Sequence, residues 1–449
     1  MAWRLVMLTR EDVLEKAREE RVKFLRLQFT DIFGALKNIA VTSEDLERAL
    51  AGRVSFDSSV VDGVVSSQEQ DITLQPDLST FLVLPWRPRE EAVARFICDV
   101  ANPDGTPYPG CSRSVLKQVL SEADRAGFKI LVGVEVEFYL FYTDENGNPT
   151  TNTHDSAGYC DLTPVDLGEN ARRDMVLVLE EMGTDIGFSH HEKGPGQHGI
   201  TLKPDNALAV ADKLVTFKFI VRTIAQRYGL HASLMPKPLN GRPGSALNLC
   251  LFLQRNGYGF FDDAPKQPSQ LGQEVGHFIA GILAHARANT AITNPLVNSY
   301  KRLFPNGLTM PVRVAWSGDS RNTVLRVVTQ CGQETRVEVR NPDPACNPYL
   351  ALSLILKAGL EGIRQQLPQP PPLSENIFLA DDNQSKGAQV ACLPRTLGEA
   401  LQELVSDQLA RATLGEYIFR RFVEAKGEEW ERFQAFVHPW ELQEYLSCF

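Results

Sequence analysis

Glu135 and Glu137 stand one residue apart inside a long apolar run, Lys129–Tyr142. The valine, leucine, isoleucine and aromatic residues of this run predict a strand. Side chains alternate between the two faces of a strand, so the two carboxylates point the same way, about 7 Å apart. Carboxylates in such an apolar setting are costly to bury unless a cation or hydrogen-bond donors compensate them. The pattern indicates a cation site, with a half-solvated sheet face as the alternative.

A second strand-like segment, Thr335–Arg340, alternates opposite charges and reads TRVEVR. Strand alternation predicts that Arg336, Glu338 and Arg340 share one face while the valines occupy the other. A surface ladder of ion pairs would also explain this pattern. Combined with the first glutamate pair, the segment favours an oxygen-rich pocket for hard divalent ions, flanked by guanidinium groups that bind phosphate or carboxylate.

A loop rich in glycine and proline follows a His-His-Glu run. The segment from Ser189 to Gly199 reads SHHEKGPGQHG, and we interpret it as a ligand-bearing loop whose histidines are structural rather than metal-binding. Residues 194–199 also match GxGxxG by count. We expect no strand to lead into this match, and Pro195 fits poorly with a helix start, so we attribute it to chance.

A further segment with cationic residues is Asn294–Pro305, which reads NPLVNSYKRLFP. Lys301 and Arg302 lie there beside turn-forming residues and are candidates for the site, with a solvated charge pair as the alternative. The sequence GxxxxGK followed by Ser or Thr does not occur in the chain, which excludes a P-loop nucleotide site.

The elements that position these residues belong to a chain long enough for two domains, because 449 residues exceed one ordinary core. The turn-rich stretch Asn102–Gly110, NPDGTPYPG, predicts a boundary between domains 1–105 and 106–449. Strands and helices are mixed without regular βαβ alternation, so the predicted fold class is α+β. Near the amino terminus, Thr9–Glu20 is predicted to be a helix capped by the Thr9 hydroxyl.

Composition and charge exclude several classes of partner. Apolar residues make up 43% and charged residues 23%, as in ordinary globular proteins. The formal net charge is −10 and the basic residues form no stripe, which argues against nucleic acid and anionic membrane surfaces as partners. The amino terminus lacks the apolar stretch of a signal peptide, and nowhere do eighteen apolar residues run together. We therefore expect no membrane span and a cytoplasmic location.

The cysteines give no sign of a metal centre of their own. All 8 are scattered, and no two are spaced as CxxC, so a zinc site built on that motif is not expected. Several, such as Cys98 and Cys250, lie in apolar strand-like runs. We interpret them as reduced core residues, as in a cytosolic protein.

Ordered blocks of this chain resemble successive blocks of type I glutamine synthetases. The similarity begins near VSFDSS and reaches the carboxyl terminus. The blocks are VEVEFYLF, TPVDLGENARRD, SHHEKGPGQH, HASLMPKPL, NPLVNSYKRL, VAWS, RVEVRNPDPACNPYLALS and VHPW. The resemblance implies a small N-terminal β-grasp domain and a large catalytic domain of the glutamine synthetase/guanido kinase type, with a curved antiparallel sheet. It also implies a homo-oligomer, a dodecamer of two hexameric rings in which neighbouring subunits share each active site.

The reaction that this resemblance implies is an ATP-dependent ligation of small molecules. The γ-carboxylate of glutamate is phosphorylated, and ammonia then displaces phosphate to form glutamine. Two Mg2+ or Mn2+ ions stabilise charge, one at the transferring phosphoryl group and one near the glutamate carboxylate. By motif position, Glu137 and Glu192 match ligands of one ion, while Glu135 and Glu338 match ligands of the other.

The same resemblance implies roles for other polar residues. Arg302 and Arg340 match groups that hold glutamate and the acyl phosphate. Arg321 and Arg326 match arginines that meet the nucleotide phosphates and the transferring group, with Arg321 among the catalytic residues. Two further positions have implied roles: Asp57, which would lie across the subunit interface and help to bind and deprotonate ammonium, and Gly244, whose backbone would approach the substrate.

The chain departs from the family pattern at both expected ions. Gly199 stands where the family has an acidic metal ligand, and it offers no side chain. Asn248 stands where the family strand carries a histidine ligand, and its amide is a weak, neutral donor for a transition metal. Each ion therefore loses one of three expected protein ligands.

Other departures affect substrate binding and regulation. Pro243 replaces an asparagine that contacts glutamate, and Thr309 is the nearest residue to the missing flap acid that shields the acyl phosphate. The remaining changes are Phe252 for a small hydroxyl residue near the adenine, Phe378 for the regulatory tyrosine of one subfamily, and Ser66 for the feedback arginine of the other.

These observations leave three functional hypotheses. The first is a ligase of the same mechanism that acts on another amine or acid. The second is a non-catalytic paralogue that keeps the ring assembly and binds glutamine, nucleotide or a regulator. The third is a slow glutamine synthetase. Groups that act as a unit lose activity non-additively when several are changed. We therefore expect an ATP-dependent carboxylate–amine ligase scaffold with weakened glutamine synthesis.

Overall fold

Two separate sheets organise the computed structural model of the chain. The structure describes residues 8–63, 70–255, 258–259, 272–304, 311–328, 336–373 and 390–449. The strands of the first sheet are β1 (Val22–Thr30), β2 (Leu36–Thr42), β3 (Val54–Asp57), β4 (Asp71–Pro76), β5 (Leu82–Val83) and β6 (Ala92–Ala101). Those of the second are β7 (Phe128–Thr143), β8 (Pro149–Thr153), β9 (Ile186–His191), β10 (Gln197–Asn206), β11 (Leu230–Ser233), β12 (Leu247–Arg255), β13 (Tyr258–Gly259), β14 (Arg313–Ser317), β15 (Thr323–Val328) and β16 (Arg336–Val339).

Helices are interspersed with these strands along the chain, which confirms the predicted α+β class. They are α1 (Arg10–Glu19), α2 (Leu46–Leu50), α3 (Ser59–Asp62), α4 (Ser112–Arg125), α5 (Glu169–Glu181), α6 (Ala207–Arg227), α7 (Gln273–Ala284), α8 (Ala286–Thr293), α9 (Val297–Leu303), α10 (Pro348–Gln365), α11 (Leu397–Ser406), α12 (Gln408–Ala435) and α13 (Pro439–Tyr445). Within the described ranges, none of them combines the length and the hydropathy needed to cross a membrane.

The N-terminal sheet has the strand order β2-β1-β6-β4-β3, with β5 also paired to β6. Strands β1 and β6 are parallel, and the other pairs are antiparallel. Leu25, Ile72 and Phe96 are fully buried in its core. Helix α1 begins after Thr9, whose side chain accepts a hydrogen bond from Asp12 N while Asp12 accepts one from Thr9 N. This capping box confirms the predicted cap.

The second sheet has the order β14-β15-β16-β12-β7-β10-β9, and β7 also pairs with β8 and β11. All of its pairs are antiparallel except β14 and β15, so the sheet is mixed at one edge. Its central strand β7 covers the strand predicted for Lys129–Tyr142. This strand therefore lies between the other segments that the sequence singles out.

The two faces of β7 have different surroundings. Val132, Val134 and Val136 are buried in the main hydrophobic core, which lies between this sheet and helices that include α4 and α6. Because side chains alternate, Glu135 and Glu137 point to the opposite face and are only partly buried. Burial of the valines thus fixes which way the two carboxylates point.

Candidate functional site

A row of three residues crosses strands β9, β10 and β7. His190 is opposite Gly199, and Gly199 is opposite Glu137. Residues that pair directly in antiparallel strands present their side chains on the same face. Gly199 therefore contributes no side chain between the imidazole of His190 and the carboxylate of Glu137.

A neighbouring row brings Asn248 to Glu135. The two residues are paired between β12 and β7, and Asn248 Nδ2 donates a hydrogen bond to Glu135 Oε2 at 2.9 Å. On the far side of β12, Cys250 pairs with Glu338 of β16, which places Glu338 on the same face. The structure thus brings the glutamates of β7 and Glu338 of β16, which are far apart in the sequence, onto the same face of the sheet.

Glu192 completes a compact group of potential ligands at the turn after β9. Its Oε1 lies 2.8 Å from Nε2 of His190. Each of Glu135, His190 and Glu192 offers one potential ligand atom, and these three atoms lie within 4.8 Å of one another. We call these three residues the Glu–His cluster. The two glutamates were predicted from the sequence, whereas the histidine was missed.

Glu137 adjoins the Glu–His cluster and has no cationic hydrogen-bond partner in the described part of the chain. Its Oε2 accepts hydrogen bonds from Ala246 N at 2.9 Å and from Gln197 Nε2 at 3.3 Å. Burial, followed by the negative charges of Glu192 and Glu135, raises the pKa of Glu137 to about 8. Three carboxylates therefore crowd together with too little positive charge, which is the electrostatic setting that a bound cation would relieve.

Glu338 has the opposite surroundings. It is buried, and its carboxylate pairs with Arg336 at 3.0 Å and with Arg326 and Arg340 at 3.3 Å each. The predicted alternation of Arg336, Glu338 and Arg340 on one face agrees with these contacts. The carboxylate oxygens that were expected to face an ion are thus already shared among guanidinium groups.

Arg302 and Gly244 lie together beside Glu137. Arg302, on α9, is buried and donates to Asn341 O and to Pro342 O, the latter at 3.0 Å. The carbonyl oxygen of Gly244 accepts a hydrogen bond from Gln197 Nε2 at 3.2 Å. A Cβ at position 244 would collide with the Pro236 carbonyl and lie 2.6 Å from Arg302 Cγ, so only glycine allows this close packing.

Arg321 and Asp57 make no hydrogen bond to the glutamates within the described residues. Arg321 is exposed in the turn between β14 and β15. Asp57 ends β3 of the other sheet, where its carboxylate accepts a hydrogen bond from Ser59 N at 2.7 Å. In the described part of one chain, no hydrogen bond or ion pair joins Asp57 to the glutamates.

The loop after the His-His-Glu run is the turn of a β-hairpin. Contrary to the sequence-based expectation, a strand does lead into it, since β9 ends at His191. A second strand, β10, follows instead of a helix, so the GxGxxG match still has no helix N-terminus to bind phosphate. Glu192 N donates to Gln197 O at 2.7 Å, which closes the turn.

The two adjacent histidines have different environments. His191 is fully buried, with Nδ1 2.7 Å from Glu192 O and Nε2 3.2 Å from Asp155 Oδ1, as expected of a structural residue. His190 is half-buried on the site face of the sheet. The prediction that both were structural treated them as one feature, whereas strand alternation separates them.

Family models match almost the whole chain. The model described as "Glutamine synthetase, beta-Grasp domain" matches residues 21–103, and "Glutamine synthetase, catalytic domain" matches residues 109–445. The chain belongs to the glutamine synthetase family. The implied N-terminal β-grasp domain and large catalytic domain are confirmed.

Curated members of the glutamine synthetase family are similar over nearly their full length. The glutamine synthetase of Clostridium saccharobutylicum is 48% identical over 439 residues, which cover 98% of this chain and 99% of that protein. Those of Methanosarcina mazei and Thermus thermophilus are 46% and 45% identical, each over 98% of this chain and over 98% and 99% of their own lengths. A glutamine synthetase-family ligase scaffold is therefore established.

Two solved structures have the same fold. One, described as "GmaS/ADP complex-Conformation 1", has a TM-score of 0.87 at 27% identity and covers 97% of this chain and 100% of its own. The other, described as "Apo GmaS without ligand", has a TM-score of 0.86 at 27% identity with the same coverage.

Glutamine synthetases use ATP and divalent ions, and the two expected ion positions differ in how well this chain fits them. Near Glu137 and Glu192, the crowded carboxylates fit a cation. Near Glu338 the fit is poor, because three arginines hold the carboxylate and Asn248 turns an amide N–H group toward Glu135.

A second group of potential ligands lies apart from this face. His154, Asp155, Asp166 and His198 offer atoms within 4.8 Å of one another. Arg172 Nη1 donates to Asp166 Oδ2 at 2.7 Å and to His198 Nδ1 at 2.8 Å. Burial and the charge of Arg172 lower the pKa of His198 well below its usual value. Because a guanidinium already lies in this group, we interpret it as a buried polar network that holds the loop before α5.

Two of the remaining departures from the family pattern lie in the described part of the chain. Pro243 is beside the site, and its carbonyl oxygen accepts a hydrogen bond from the Tyr139 hydroxyl at 2.7 Å. Phe252 lies on β12, opposite Leu131. Ser66, Thr309 and Phe378 fall outside the described residues.

Proposed function

We propose that this protein is an ATP-dependent carboxylate–amine ligase of the glutamine synthetase family, acting through an acyl phosphate, in which ordinary glutamine synthesis is weakened. Glutamate or a related acid is the carboxylate donor. The observation that carries the proposal is the gathering of Glu135, Glu137 and Glu192 on one sheet face, next to the buried guanidinium of Arg302. Such an arrangement suits a substrate with negative charges that must be held close to a divalent ion.

Each residue near this face has a proposed role. Glu137 and Glu192 hold Mg2+ or Mn2+, and the bound ion would supply charge neutralisation for the phosphates of ATP. Arg302 and Arg340 bind the carboxylate of the acid substrate, while Arg321 and Arg326 bind phosphates. The backbone of Gly244 lies against the substrate.

Two roles depend on neighbouring molecules or on the second ion. Asp57 binds and deprotonates the amine from the neighbouring subunit of a dodecamer, which fits its position on the N-terminal sheet. Glu135 and Glu338 are the remaining ligands of the second ion in the family pattern. Their present partners, Asn248 and three arginines, are the reason we expect that ion to bind weakly. We further propose a cytoplasmic location and domains 1–105 and 106–449.

Weakened glutamine synthesis follows from changes at several groups that act together. Gly199 and Asn248 remove a ligand from each expected ion, and Pro243 removes a contact to glutamate. Losing one preorganised group typically costs roughly 10²-fold in rate. The alternative function is a catalytically inactive paralogue with a regulatory or binding role, and the occupied carboxylate of Glu338 is the observation that favours it.

The test is phosphate release from ATP by the purified protein with Mg2+ or Mn2+. With glutamate and ammonia we expect a rate at least about 100-fold below that of the Clostridium saccharobutylicum glutamine synthetase assayed in parallel. A panel of other amines and acids separates the two functions, because a ligase will release phosphate with one of them and an inactive paralogue with none. Comparable turnover with glutamate and ammonia would show that glutamine synthesis is not weakened. A solution mass about twelve times the 50.0 kDa chain mass would support the dodecamer.

A further inference from the structure

The imidazole of His190 occupies the space beside Gly199. A Cβ at position 199 would lie 3.1 Å from His190 Cε1, 3.4 Å from His190 Nε2 and 3.1 Å from Glu192 Oε1. A side chain longer than one carbon would therefore meet both residues. The position where the family has an acidic ligand is filled in this chain by an imidazole from the adjacent strand.

Strand register explains why His190 can reach this place. It is paired with Gly199 across β9 and β10, and Gly199 is paired with Glu137 across β10 and β7. Side chains in such a row share a face, and glycine contributes none. The ring of His190 therefore extends over the glycine toward the carboxylates of β7.

The spacing of the donor atoms suits a metal ion. His190 Nε2 and Glu192 Oε1 are 2.8 Å apart. Metal–nitrogen and metal–oxygen bonds of about 2.1 Å place adjacent ligands roughly 3 Å from each other. Glu135 offers a third ligand atom within 4.8 Å of the other two.

An independent observation concerns Asn248, which is 5% exposed and contacts Glu135 through Nδ2. Its Oδ1 is buried and has no hydrogen-bond partner within the described chain. Buried polar atoms are rarely left unpaired, and those that are require an explanation such as an ion or a water molecule. A cation beside Glu135 would give this carbonyl oxygen a partner after rotation of the amide.

We propose that His190 supplies the ligand missing at Gly199, so that the Glu–His cluster binds one divalent ion through mixed nitrogen and oxygen donors. The inference rests on the proposed function and specifies its metal. The ion takes the place of the hydrogen bond between His190 Nε2 and Glu192 Oε1, and the neutral imidazole binds it through Nε2 with its proton on Nδ1. Imidazole suits Co2+ and Zn2+, and Mn2+ accepts it more readily than Mg2+, which strongly prefers oxygen ligands. The protein therefore binds these transition ions in preference to Mg2+.

Pulsed electron paramagnetic resonance of Mn2+ bound to the full-length protein tests this ligand directly. We expect 14N coupling from a directly bound imidazole in the unmodified protein. His190→Ala removes the coupling and weakens Mn2+ binding by about 10-fold to 100-fold. Loss of a residue that only supports a metal ligand already has an effect of this size, so loss of a ligand should have at least as large an effect. The matched control is His231→Ala, on β11, which also pairs with β7 but lies outside the Glu–His cluster. It leaves both the coupling and the affinity unchanged.

A second variant tests the exchange of ligands in the other direction. His190→Ala combined with Gly199→Glu frees the space beside residue 199 and restores the carboxylate of the family. Calorimetry should then show tighter Mg2+ binding and a smaller preference for Mn2+ than in the unmodified protein. Gly199→Glu alone does not do so, because its Cβ meets His190.

Three results would overturn the inference: no Mn2+ binding, Mn2+ binding without 14N coupling in the unmodified protein, or coupling that survives in His190→Ala. The spectrum of the unmodified protein alone shows whether a nitrogen ligand is bound to Mn2+, so the test still works if a variant folds poorly. None of these measurements requires turnover, so they can fail while the ligase assay succeeds, and the ligase assay can fail while they succeed.

Discussion

Glu137 and Glu338 lie on the same face of one sheet, yet their negative charges are compensated in opposite ways. Glu338 is surrounded by three guanidinium groups that are 17–24% exposed. Glu137 has only an amide and a backbone N–H group as hydrogen-bond donors, and burial, followed by two further carboxylates, raises its pKa. The first arrangement is complete without a ligand, whereas the second is not.

This difference shows that acidic residues alone do not define an ion site. A carboxylate that is already neutralised by arginine must give up those contacts before it binds a metal, at a cost comparable to breaking a buried ion pair. A carboxylate crowded by others gains from any cation that arrives. We therefore expect the two ion positions of this chain to differ in affinity, although sequence motifs match them equally.

The largest expected effect concerns metal affinity. Glu192→Ala removes a ligand from the Glu–His cluster and should weaken Mn2+ binding by about 100-fold or more, since even the loss of a supporting residue costs 10-fold to 100-fold. Glu338→Ala, the matched change on the other side, should alter it by less than about 3-fold if the arginines already hold that carboxylate. Calorimetric titration with Mn2+ measures both. Equal losses would mean that Glu338 is a ligand and that the contrast between the two positions is false.

A smaller effect, opposite in sign for the two glutamates, concerns the stability of the metal-free protein. Glu338→Gln leaves three partly buried arginines without a full counter-charge, and we expect the free energy of unfolding to fall by about 2 kcal/mol. Glu137→Gln removes a charge that its surroundings disfavour, while the amide can still accept a hydrogen bond from Ala246 N. Glu137→Gln should therefore leave the free energy of unfolding unchanged or raise it. Urea unfolding at pH 7 measures both, and a loss of stability in Glu137→Gln would contradict the contrast between the two glutamates.

Features that depend on local periodicity could be predicted from the sequence. The alternation of apolar and acidic residues in Lys129–Tyr142 was enough to predict β7 and the shared face of Glu135 and Glu137. The same period of two placed Arg336 and Glu338 together. Local cues of this kind remain valid because each strand buries one face, and a shift by one residue would expose it.

Other features depend on contacts between distant strands. Strand β9 was missed because only one of its six residues is buried, so its sequence, IGFSHH, has no run of apolar residues facing the core. The position of His190 over Gly199 follows from the pairing register of β9 with β10, which no property of either segment reveals. The number of arginines at Glu338 likewise depends on β15 lying beside β16. Long-range register, and not residue type, separates the complete site from the incomplete one.

The smallest expected effect is the contribution of Glu137 to the pH dependence of stability. Its pKa is about 8 in the folded protein, against 4.5 for an ordinary glutamate. The folded state thus holds a proton that the unfolded state has lost between these values, so this group makes the metal-free protein less stable as pH rises from about 5 to about 8. The melting temperature, measured across that range, should fall more steeply in the unmodified protein than in Glu137→Gln. Saturating Mn2+ should reduce the slope, because the ion replaces the proton as the compensating charge. Identical slopes for the two proteins without metal would show that Glu137 is compensated in some other way, and the contrast with Glu338 would then lose its electrostatic basis.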